Sequence, residues 1–314
     1  MLVTIAIPLY NKEQYFERCF NSVIKQTYDN IECIIVEDCS TDNSLELAEH
    51  LIQNYTGNIK IVLIKHEHNS GHSVARNTGI NNSRGDYIFF LDSDDEITEN
   101  CIKTLVTLAE EYPGVDIIQG NAYQHPRIED DRYDFKGAFP EFTQNNLEIR
   151  KYYYKRFPIN SWNKLIRKKF ITQNNLFFKP GFIHEDQRWN FFSVKYAESF
   201  AFTNEYCYIR YFVPDSISTN PDFSRSIIAN LMIAGDMLAN LDIDFLEQNL
   251  IKIRKLLKRT KKIISSDSKY SHFLPKCELL LTKLPAGKFF LSLAILSELK
   301  RVKDFFRDTF RTRK

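Results

Sequence analysis

The segment GDYIFFLDSDD (residues 85–95) joins a run of apolar residues directly to a cluster of carboxylates. The apolar run 87–91 has the length and composition of a buried strand in a parallel sheet. Neighbouring carboxylates repel one another, and a hard divalent cation such as Mg²⁺ or Mn²⁺, which prefers oxygen ligands, would offset that repulsion. The alternative is an acidic turn before a helix that begins near Thr98, where negative charge is also favourable.

Strand and helix patterns alternate on both sides of this segment. Such an order predicts an α/β domain with a mostly parallel sheet flanked by helices on both faces. Ligands of these sheets bind beyond the carboxyl ends of the strands, where Glu37-Asp38 and the acidic residues of 92–95 would lie. The predicted strands are 2–7, 31–36, 59–64 and 87–91, with the first stopping at Pro8, and the predicted helices are 13–26, 43–54, 73–82 and 98–111.

Composition changes along the chain and predicts two parts. Residues 115–213 are a less regular mixture rich in aromatic residues, whereas the chain from Phe223 onward is almost entirely helical in pattern. We therefore predict a first domain at 1–220, divided at about residue 110 into two halves, and a helical extension at 221–314. Without a signal peptide, a spanning segment or a CxxC pair, the sequence predicts a cytoplasmic protein.

The C-terminal part is strongly basic, with 18 Lys and Arg against five Asp and Glu in residues 248–314. Apolar residues recur there at helical spacing, in residues 250–264 and again from Phe289 to Phe310. Basic amphipathic helices can lie on an anionic membrane, so one hypothesis is peripheral binding at the inner face of the cell membrane. The alternative is that the apolar stripes pack on the rest of the protein and the charges face water.

Six segments of the chain form a further pattern, namely IAIPLYN (5–11) followed by Glu13, VEDCSTDNS (36–44), NSGHSVARNTGI (69–80), GDYIFFLDSDD (85–95), SWNKLIRKKF (161–170), and Ile183-His184-Glu185-Asp186 with Trp189. Together these segments resemble the family 2 inverting glycosyltransferases. The order and spacing of the first four segments match over about 95 residues, which is more specific than a single DxD motif, and the resemblance covers roughly the first 220 residues.

The resemblance implies that residues 1–220 are a GT-A catalytic domain, with a nucleotide-sugar half at about 1–110 and an acceptor half at about 111–220. It implies a metal-dependent transferase, either a hexosyltransferase or an N-acetylhexosaminyltransferase, that uses Mn²⁺ or Mg²⁺. It implies that Asp94 is the metal ligand, that Asp186 is the general base, and that Asp38 hydrogen-bonds the base of the nucleotide, which favours UDP. The other residues implied in donor binding are Pro8, Tyr10, Glu13, Arg76, Asp92 and Ser93. Candidate acceptor residues are Glu185, Trp162 and Trp189, and each tryptophan could equally pack in a core.

Two departures from the family pattern affect these expectations. The usual VDDGS reads VEDCS here, so Cys39 replaces a glycine that permits an unusual backbone conformation. There is also no QxxRW motif, because Gln187-Arg188-Trp189 lacks the two-residue gap, and we therefore expect transfer of a single sugar rather than processive polymerisation.

Other classes of protein fit the sequence less well. A sugar nucleotidyltransferase would have a Gly-rich basic loop after the first strand, and a dehydrogenase would have GxGxxG there, where this chain has Pro8-Leu9-Tyr10-Asn11. A non-catalytic nucleotide-sugar-binding protein remains an alternative. The expected partners are a nucleoside diphosphate sugar, a saccharide or lipid-linked saccharide of the cell surface, and an anionic membrane, but no nucleic acid.

Overall fold

The computed structural model describes residues 1–128, 133–137, 139–155, 160–213, 223–241 and 246–282. The boundary predicted at 220/221 and the apolar stripe predicted from Phe289 to Phe310 lie outside the described residues. The described chain belongs to two compact units. The first is Met1–Gly181 with Trp189–Pro214, and the second is Phe182–Arg188 with Asp215–Lys314.

The predicted alternation of strands and helices is confirmed in the first unit, with boundaries that shift by a few residues. The short helix α1 begins later than expected, because residues 12–15 form a turn in which the Lys12 carbonyl accepts hydrogen bonds from two backbone N–H groups. The elements are β1 Val3–Leu9, α1 Phe16–Ile24, β2 Ile31–Glu37, α2 Ser44–Asn54, β3 Lys60–Lys65, α3 His72–Asn82, β4 Tyr87–Phe90, β5 Glu96–Ile97 and α4 Cys101–Glu111.

The second half of this unit adds shorter elements to the same sheet. Helix α7 crosses from one unit to the other, since its first residues belong to the second unit and the rest to the first. The elements are β6 Ile117–His125, β7 Phe142–Thr143, α5 Asn146–Lys155, β8 Lys164–Arg167, α6 Lys168–Gln173, α7 Glu185–Tyr196 and β9 Phe200–Tyr211.

The strands form one nine-stranded sheet in the order β3-β2-β1-β4-β8-β6-β9-β5, with β7 paired to β9. The β1–β2, β2–β3 and β1–β4 pairs are parallel, as predicted, whereas β8 is antiparallel to both of its neighbours. The sheet is therefore parallel from β3 to β4 and mixed in its other half.

The prediction that β1 stops at Pro8 is wrong, because the strand continues to Leu9 and Pro8 pairs in register with Val36. The ladder between β1 and β4 extends only from Val3 to Ala6. At Pro8 the strand is paired on the β2 side alone, so the missing N–H of the proline does not interrupt a ladder on both sides.

The second unit is helical in its described part. It contains α8 Ser224–Ala239, α9 Leu246–Ser266, a 3-10 helix at Ser268–Phe273 and α10 Leu274–Thr282. Helix α9 buries Leu250, Ile253, Leu257 and Ile264 and packs against α8 and α10. No helix in the described parts of the chain combines the length and apolar character needed to cross a bilayer.

Candidate active site

Three loops meet at the carboxyl edge of the parallel half of the sheet. They follow β1, β2 and β4, which are neighbours in the sheet, so the residues just beyond the strand ends are brought together. The loop after β2 is tied to β1 because the Asp38 N–H donates to the Leu9 carbonyl at 2.9 Å, and the loop after β4 is tied to it by Leu91 N–H and the Ala6 carbonyl at 3.1 Å. Predicted donor residues from all three loops therefore share one edge.

In the loop after β2, VEDCS takes the place of the usual VDDGS. Cys39 has a φ of 59°, so the chain keeps the left-handed conformation that a glycine would adopt freely. The buried Glu37 supports that turn, because its carboxylate accepts hydrogen bonds from the Cys39 N–H at 3.2 Å and the Ser40 N–H at 2.6 Å. The glutamate thus holds in place a backbone conformation that the cysteine alone would disfavour.

Asp38 is almost fully buried, with 2% of its surface exposed, and is surrounded by donors. Its Oδ1 accepts from the Ser70 N–H at 2.9 Å and lies 2.7 Å from Nδ1 of His66, while its Oδ2 accepts from the Gly71 N–H at 2.7 Å. Each carboxylate oxygen can accept two hydrogen bonds, so Oδ2 retains room for one further donor.

Asp92 is held by a buried guanidinium. Arg76 on α3 is 1% exposed, and its Nη2 donates to Asp92 Oδ1 at 2.7 Å, while Nε2 of His72 lies 3.7 Å from the same oxygen. The Arg76 guanidinium also lies over the Phe178 ring, 5.1 Å from its centroid. The Arg76 guanidinium thus lies beside a strand end where an anionic diphosphate would gain from it.

Asp94 is held by two cations in different ways. Arg18 Nη2 donates to the backbone carbonyl of Asp94 at 2.7 Å, whereas Lys12 Nζ donates to its carboxylate Oδ2 at 2.7 Å. The side chains of Lys12 and Asp94 are 21% and 19% exposed, so this ion pair is reachable from solvent.

The third acidic residue of the motif, Asp95, is turned into the protein. Its carboxyl group accepts hydrogen bonds from the Tyr208 hydroxyl and the Tyr211 N–H, both at 2.8 Å. Burial, followed by the nearby charges of Asp94 and Asp92, raises the pKa of Asp95 well above its ordinary value. Asp95 therefore joins the motif to β9 and does not face a ligand.

The residues of the site fit a divalent metal that the protein holds only in part. Among the described residues there is no group of three or more His, Cys, Asp or Glu side chains arranged to hold an ion, so a cage made by the protein alone is not provided. Mg²⁺ in nucleotide sites is typically held by one or two carboxylates, with phosphate oxygens and water completing the shell. Asp94, with its second carboxylate oxygen, and a bound diphosphate can supply that kind of site.

The remaining predicted donor residues take different positions. Tyr10 is 41% exposed just after β1, whereas Pro8 and Ser93 are buried. Glu13 has a supporting position, because its Oε2 accepts hydrogen bonds from the backbone N–H and side-chain amide of Asn43 at 2.9 and 2.8 Å. It thereby holds the start of α2 against the loop after β1.

The predicted base and its neighbour begin helix α7 in the second unit. Glu185 is buried, Asp186 is half-buried, and the preceding His184 has a φ of 60°. Nε2 of His184 lies 3.0 Å from the Ser226 hydroxyl, and Arg188 forms an ion pair with Asp236 at 2.7 Å. Contacts within the unit thus fix the turn that carries Asp186.

Both tryptophans proposed for the acceptor pack in the core. Trp189 is 1% exposed, stacks on Phe178 with ring centroids 5.4 Å apart, and donates its indole N–H to the Leu176 carbonyl at 2.9 Å. Trp162 is 6% exposed and stacks on Tyr208 at 4.4 Å. Stacking on a sugar needs an accessible ring face, so the burial of both rings favours the core alternative over contact with the acceptor.

Lys12 and His66 contact the predicted site residues directly, although neither was among the residues predicted for the site. Lys12 lies within the matched segment, between Asn11 and Glu13, so its position in the motif was an available signal. His66 contacts Asp38 across 28 positions of sequence, and no local pattern identifies such a partner.

The model of the family described as "Glycosyl transferase family 2" matches residues 4–193. Among curated proteins, an uncharacterized glycosyltransferase, YibD of Escherichia coli (strain K12), is 35% identical over 60% of this chain and 54% of its own length. The minor teichoic acid biosynthesis protein GgaA of Bacillus subtilis (strain 168) is 39% identical over 33% of this chain and 24% of its own length. The chain thus spans about half of YibD and a quarter of GgaA.

Solved structures with the same fold include S. aureus TarS 1-349 in complex with UDP-GlcNAc, with a TM-score of 0.64 and 17% identity over 98% of this chain and 92% of that one. Another is the mannosyltransferase PcManGT from Pyrobaculum calidifontis in complex with GDP-Man and Mn²⁺, with a TM-score of 0.61 and 13% identity over 98% of this chain and 83% of that one. At these identities the likeness shows the fold alone, and it confirms the predicted GT-A fold.

Proposed function

The chain belongs to glycosyl transferase family 2 and is a glycosyltransferase, and on that premise we propose that it transfers one sugar from a nucleoside diphosphate sugar to a saccharide hydroxyl with inversion. The observation that carries this proposal is the meeting of Asp38, Asp92 and Asp94 at one edge of the sheet, with Arg76 and Lys12 in contact with the two last carboxylates.

In this proposal the donor lies across the strand ends with its base toward β2. The free accepting position on Asp38 Oδ2 suits an N–H of a uracil ring, and the exposed ring of Tyr10 can cover the base. Arg76, Asp92 and Ser93 lie nearer the ribose and the diphosphate. UDP is therefore the favoured donor nucleotide.

Asp94 would hold a divalent metal together with the diphosphate oxygens. When bound, Mn²⁺ or Mg²⁺ acts as a Lewis acid that offsets the charge developing on the departing nucleoside diphosphate. Arg76 on α3 contributes a fixed positive charge to the same region, since its guanidinium is buried and already paired with Asp92.

Asp186 is the proposed general base. It takes the proton of the acceptor hydroxyl as that oxygen attacks the anomeric carbon, and such a base typically contributes ~10²–10⁴-fold to the rate. A single displacement needs one base and gives inversion at the anomeric carbon. The buried Glu185 and the constrained turn at His184 would keep Asp186 in position.

The acceptor is proposed to be a saccharide or lipid-linked saccharide of a cell-surface polymer. The relative GgaA supports this class of product, since it is named for minor teichoic acid biosynthesis. A lipid-linked acceptor would be met at an anionic membrane surface. Helix α9 provides a basic face for such contact, since Lys255, Lys258, Arg259 and Lys262 are exposed. Because the apolar stripe of α9 is buried within its own unit, the proposed contact is electrostatic adsorption rather than insertion.

Nucleotide release from a panel of UDP-, GDP- and dTDP-sugars tests the proposal without knowledge of the acceptor. The proteins are wild type, Asp94→Asn, Asp186→Asn and the exposed control Asp29→Asn, each with Mn²⁺, Mg²⁺ or EDTA. We expect slow hydrolysis of one UDP-sugar that requires metal and falls by about 100-fold or more in Asp94→Asn. Proton NMR of the sugar first released distinguishes the inverted from the retained anomer.

The outcomes separate the parts of the proposal. Release of the retained anomer would contradict inversion, and turnover in EDTA equal to that with metal would contradict metal dependence. Unchanged hydrolysis in Asp186→Asn would assign the base elsewhere. Preference for a GDP-sugar would overturn the role of Asp38 in selecting uracil.

A further inference from the structure

The Lys12–Asp94 ion pair places a cation on the carboxylate that the proposed function gives to the metal. Nζ of Lys12 lies 2.7 Å from Oδ2 of Asp94, across 82 positions of sequence. We propose that the Lys12 ammonium competes with the metal for the Asp94 carboxylate. Metal binding is therefore weak until a nucleoside diphosphate binds and the ammonium leaves Asp94. The inference rests on the proposed role of Asp94 as metal ligand.

The backbones that carry the two side chains are fixed. The Lys12 N–H donates to the Ser44 hydroxyl at 2.7 Å, and its carbonyl accepts from the Tyr15 and Phe16 N–H groups, both at 2.9 Å. The Asp94 carbonyl is held by Arg18. Separation of the pair therefore requires only a rotation of the lysine stem and no movement of either loop.

The pair is suited to separation. A lysine ammonium is a compact charge on a flexible stem, and this one makes a single bond to the carboxylate in a partly exposed position. A guanidinium in its place would bind the carboxylate in a fork and resist displacement. By contrast, Arg76 beside Asp92 is 1% exposed and is supported by Phe178, so the two ion pairs differ in how readily they open.

A metal and the Lys12 ammonium cannot both contact Asp94 at low cost. A divalent cation bound to that carboxylate would lie within a few ångströms of a positive charge, and like charges at such distances repel strongly near a protein surface. The diphosphate of a donor changes this balance, because its oxygens attract both the metal and the displaced ammonium. Metal and nucleotide should therefore bind with positive coupling, and such coupling is reciprocal.

Binding of Mn²⁺, followed by the electron paramagnetic resonance signal of the free ion, measures this coupling directly. The proteins are wild type, Lys12→Met, Lys12→Arg and the exposed control Lys25→Met, each without nucleotide and with saturating UDP. We expect Lys12→Met to bind Mn²⁺ alone about ten-fold more tightly than wild type and to gain less from UDP. Lys25→Met should bind Mn²⁺ alone as weakly as wild type, and Lys12→Arg should bind it at least as weakly, because the guanidinium resists displacement.

Asp94→Asn separates failure of the inference from failure of the proposed function. If UDP strengthens Mn²⁺ binding in wild type but not in Asp94→Asn, the metal role of Asp94 stands. An affinity of Lys12→Met for Mn²⁺ alone within about two-fold of wild type would then overturn the Lys12 inference only. Absence of Mn²⁺ binding in every variant with UDP present would overturn both.

Discussion

Asp38 and His66 form a buried pair in which Nδ1 of the imidazole lies 2.7 Å from Oδ1 of the carboxylate. Nε2 of the same ring lies 2.9 Å from the Thr78 hydroxyl on α3. Because an ionised carboxylate only accepts hydrogen bonds, Nδ1 carries the proton, and in the neutral ring Nε2 accepts from Thr78. His66 thus orients Asp38 through Oδ1 and leaves Oδ2 to the Gly71 N–H and, in the proposed function, to the donor nucleotide.

Substitution of His66 by Ala is therefore expected to weaken UDP binding by about ten-fold or more, because it removes a hydrogen bond to a charged group and frees Asp38 to rotate. Isothermal titration calorimetry with UDP measures the change. His50→Ala, at an exposed position on α2, is the matched control. Equal UDP affinity in His66→Ala and wild type would show that Asp38 does not depend on this contact.

The left-handed backbone at Cys39 leads to a second prediction. At a φ of 59°, a side chain with a Cβ atom is strained, whereas glycine is not. Cys39→Gly should raise the free energy of unfolding by up to about 1 kcal/mol, and Cys39→Val should lower it by about 1–2 kcal/mol, because β-branching worsens the same clash. Urea denaturation of both variants gives the sign, and a Cys39→Val protein as stable as wild type would refute the argument from strain.

Glu32 on β2 allows a prediction about pH that is independent of the active site. Burial raises the pKa of this carboxyl group, but hydrogen bonds from the Thr4 hydroxyl and from Arg84 outweigh that effect, and the net pKa is lowered from its ordinary 4.5. The carboxylate is 3% exposed and lies 2.6 Å from the Thr4 hydroxyl. The native state therefore favours the ionised form.

A lowered pKa contributes stability that is present above the unfolded value and is lost as pH falls through the folded value. Glu32→Gln should cost about 1–3 kcal/mol near pH 7, and its difference from wild type should shrink as the pH falls below about 4.5. Urea denaturation at several pH values measures this, with Glu67→Gln as the exposed control. A difference that stays constant down to low pH would contradict the assignment.

Local pattern predicted the first half of the sheet and missed the second half for a physical reason. The strands β1 to β4 are continuous apolar runs between helical segments, so their parallel order follows from the sequence. The strand β8 has four residues, and its register with β4 joins Phe89 to Leu165. Such pairings depend on contacts between distant parts of the chain, which no local periodicity encodes.

The same distinction holds in the candidate site. Asp38, Asp92 and Asp94 were predicted to lie at strand ends, because acidic residues follow buried runs there. The pairing of Lys12 with Asp94, and the turning of Asp95 toward Tyr208, were not predictable, since each partner is more than 80 positions away. Spacing identified which carboxylates meet, whereas only the three-dimensional structure shows which are paired with cations.

Substitution of Trp189 tests whether this residue packs in the core or contacts the acceptor. Trp189→Phe removes the bond to the Leu176 carbonyl and part of a filled volume, so it should lower the free energy of unfolding by about 2–3 kcal/mol. We expect the KM for acceptor to remain unchanged once the acceptor is known. Tyr196→Phe, on an exposed ring, should have little effect. A raised KM without loss of stability would return Trp189 to the acceptor site.

The basic face of α9 gives a final prediction about membranes. Residues 248–266 contain seven Lys and Arg and no Asp or Glu, and Lys255, Lys258, Arg259 and Lys262 are exposed opposite the buried stripe. Like charges four positions apart on a helix repel each other by a few tenths of a kcal/mol, so an anionic surface would relieve this repulsion. A basic residue near such a surface contributes about 1 kcal/mol of attraction.

Reversal of Lys255, Lys258 and Lys262 to Glu should therefore lower co-sedimentation with phosphatidylglycerol vesicles by about 100-fold or more at low salt, while phosphatidylcholine vesicles should bind neither protein. Folding of α9 should tolerate the change because it reduces repulsion along the helix. The control replaces the exposed Lys25, Lys60 and Lys103 by Glu, which changes the net charge by the same amount at sites outside α9. If that control lost binding to the same extent, attraction would follow net charge and α9 would have no special part in it.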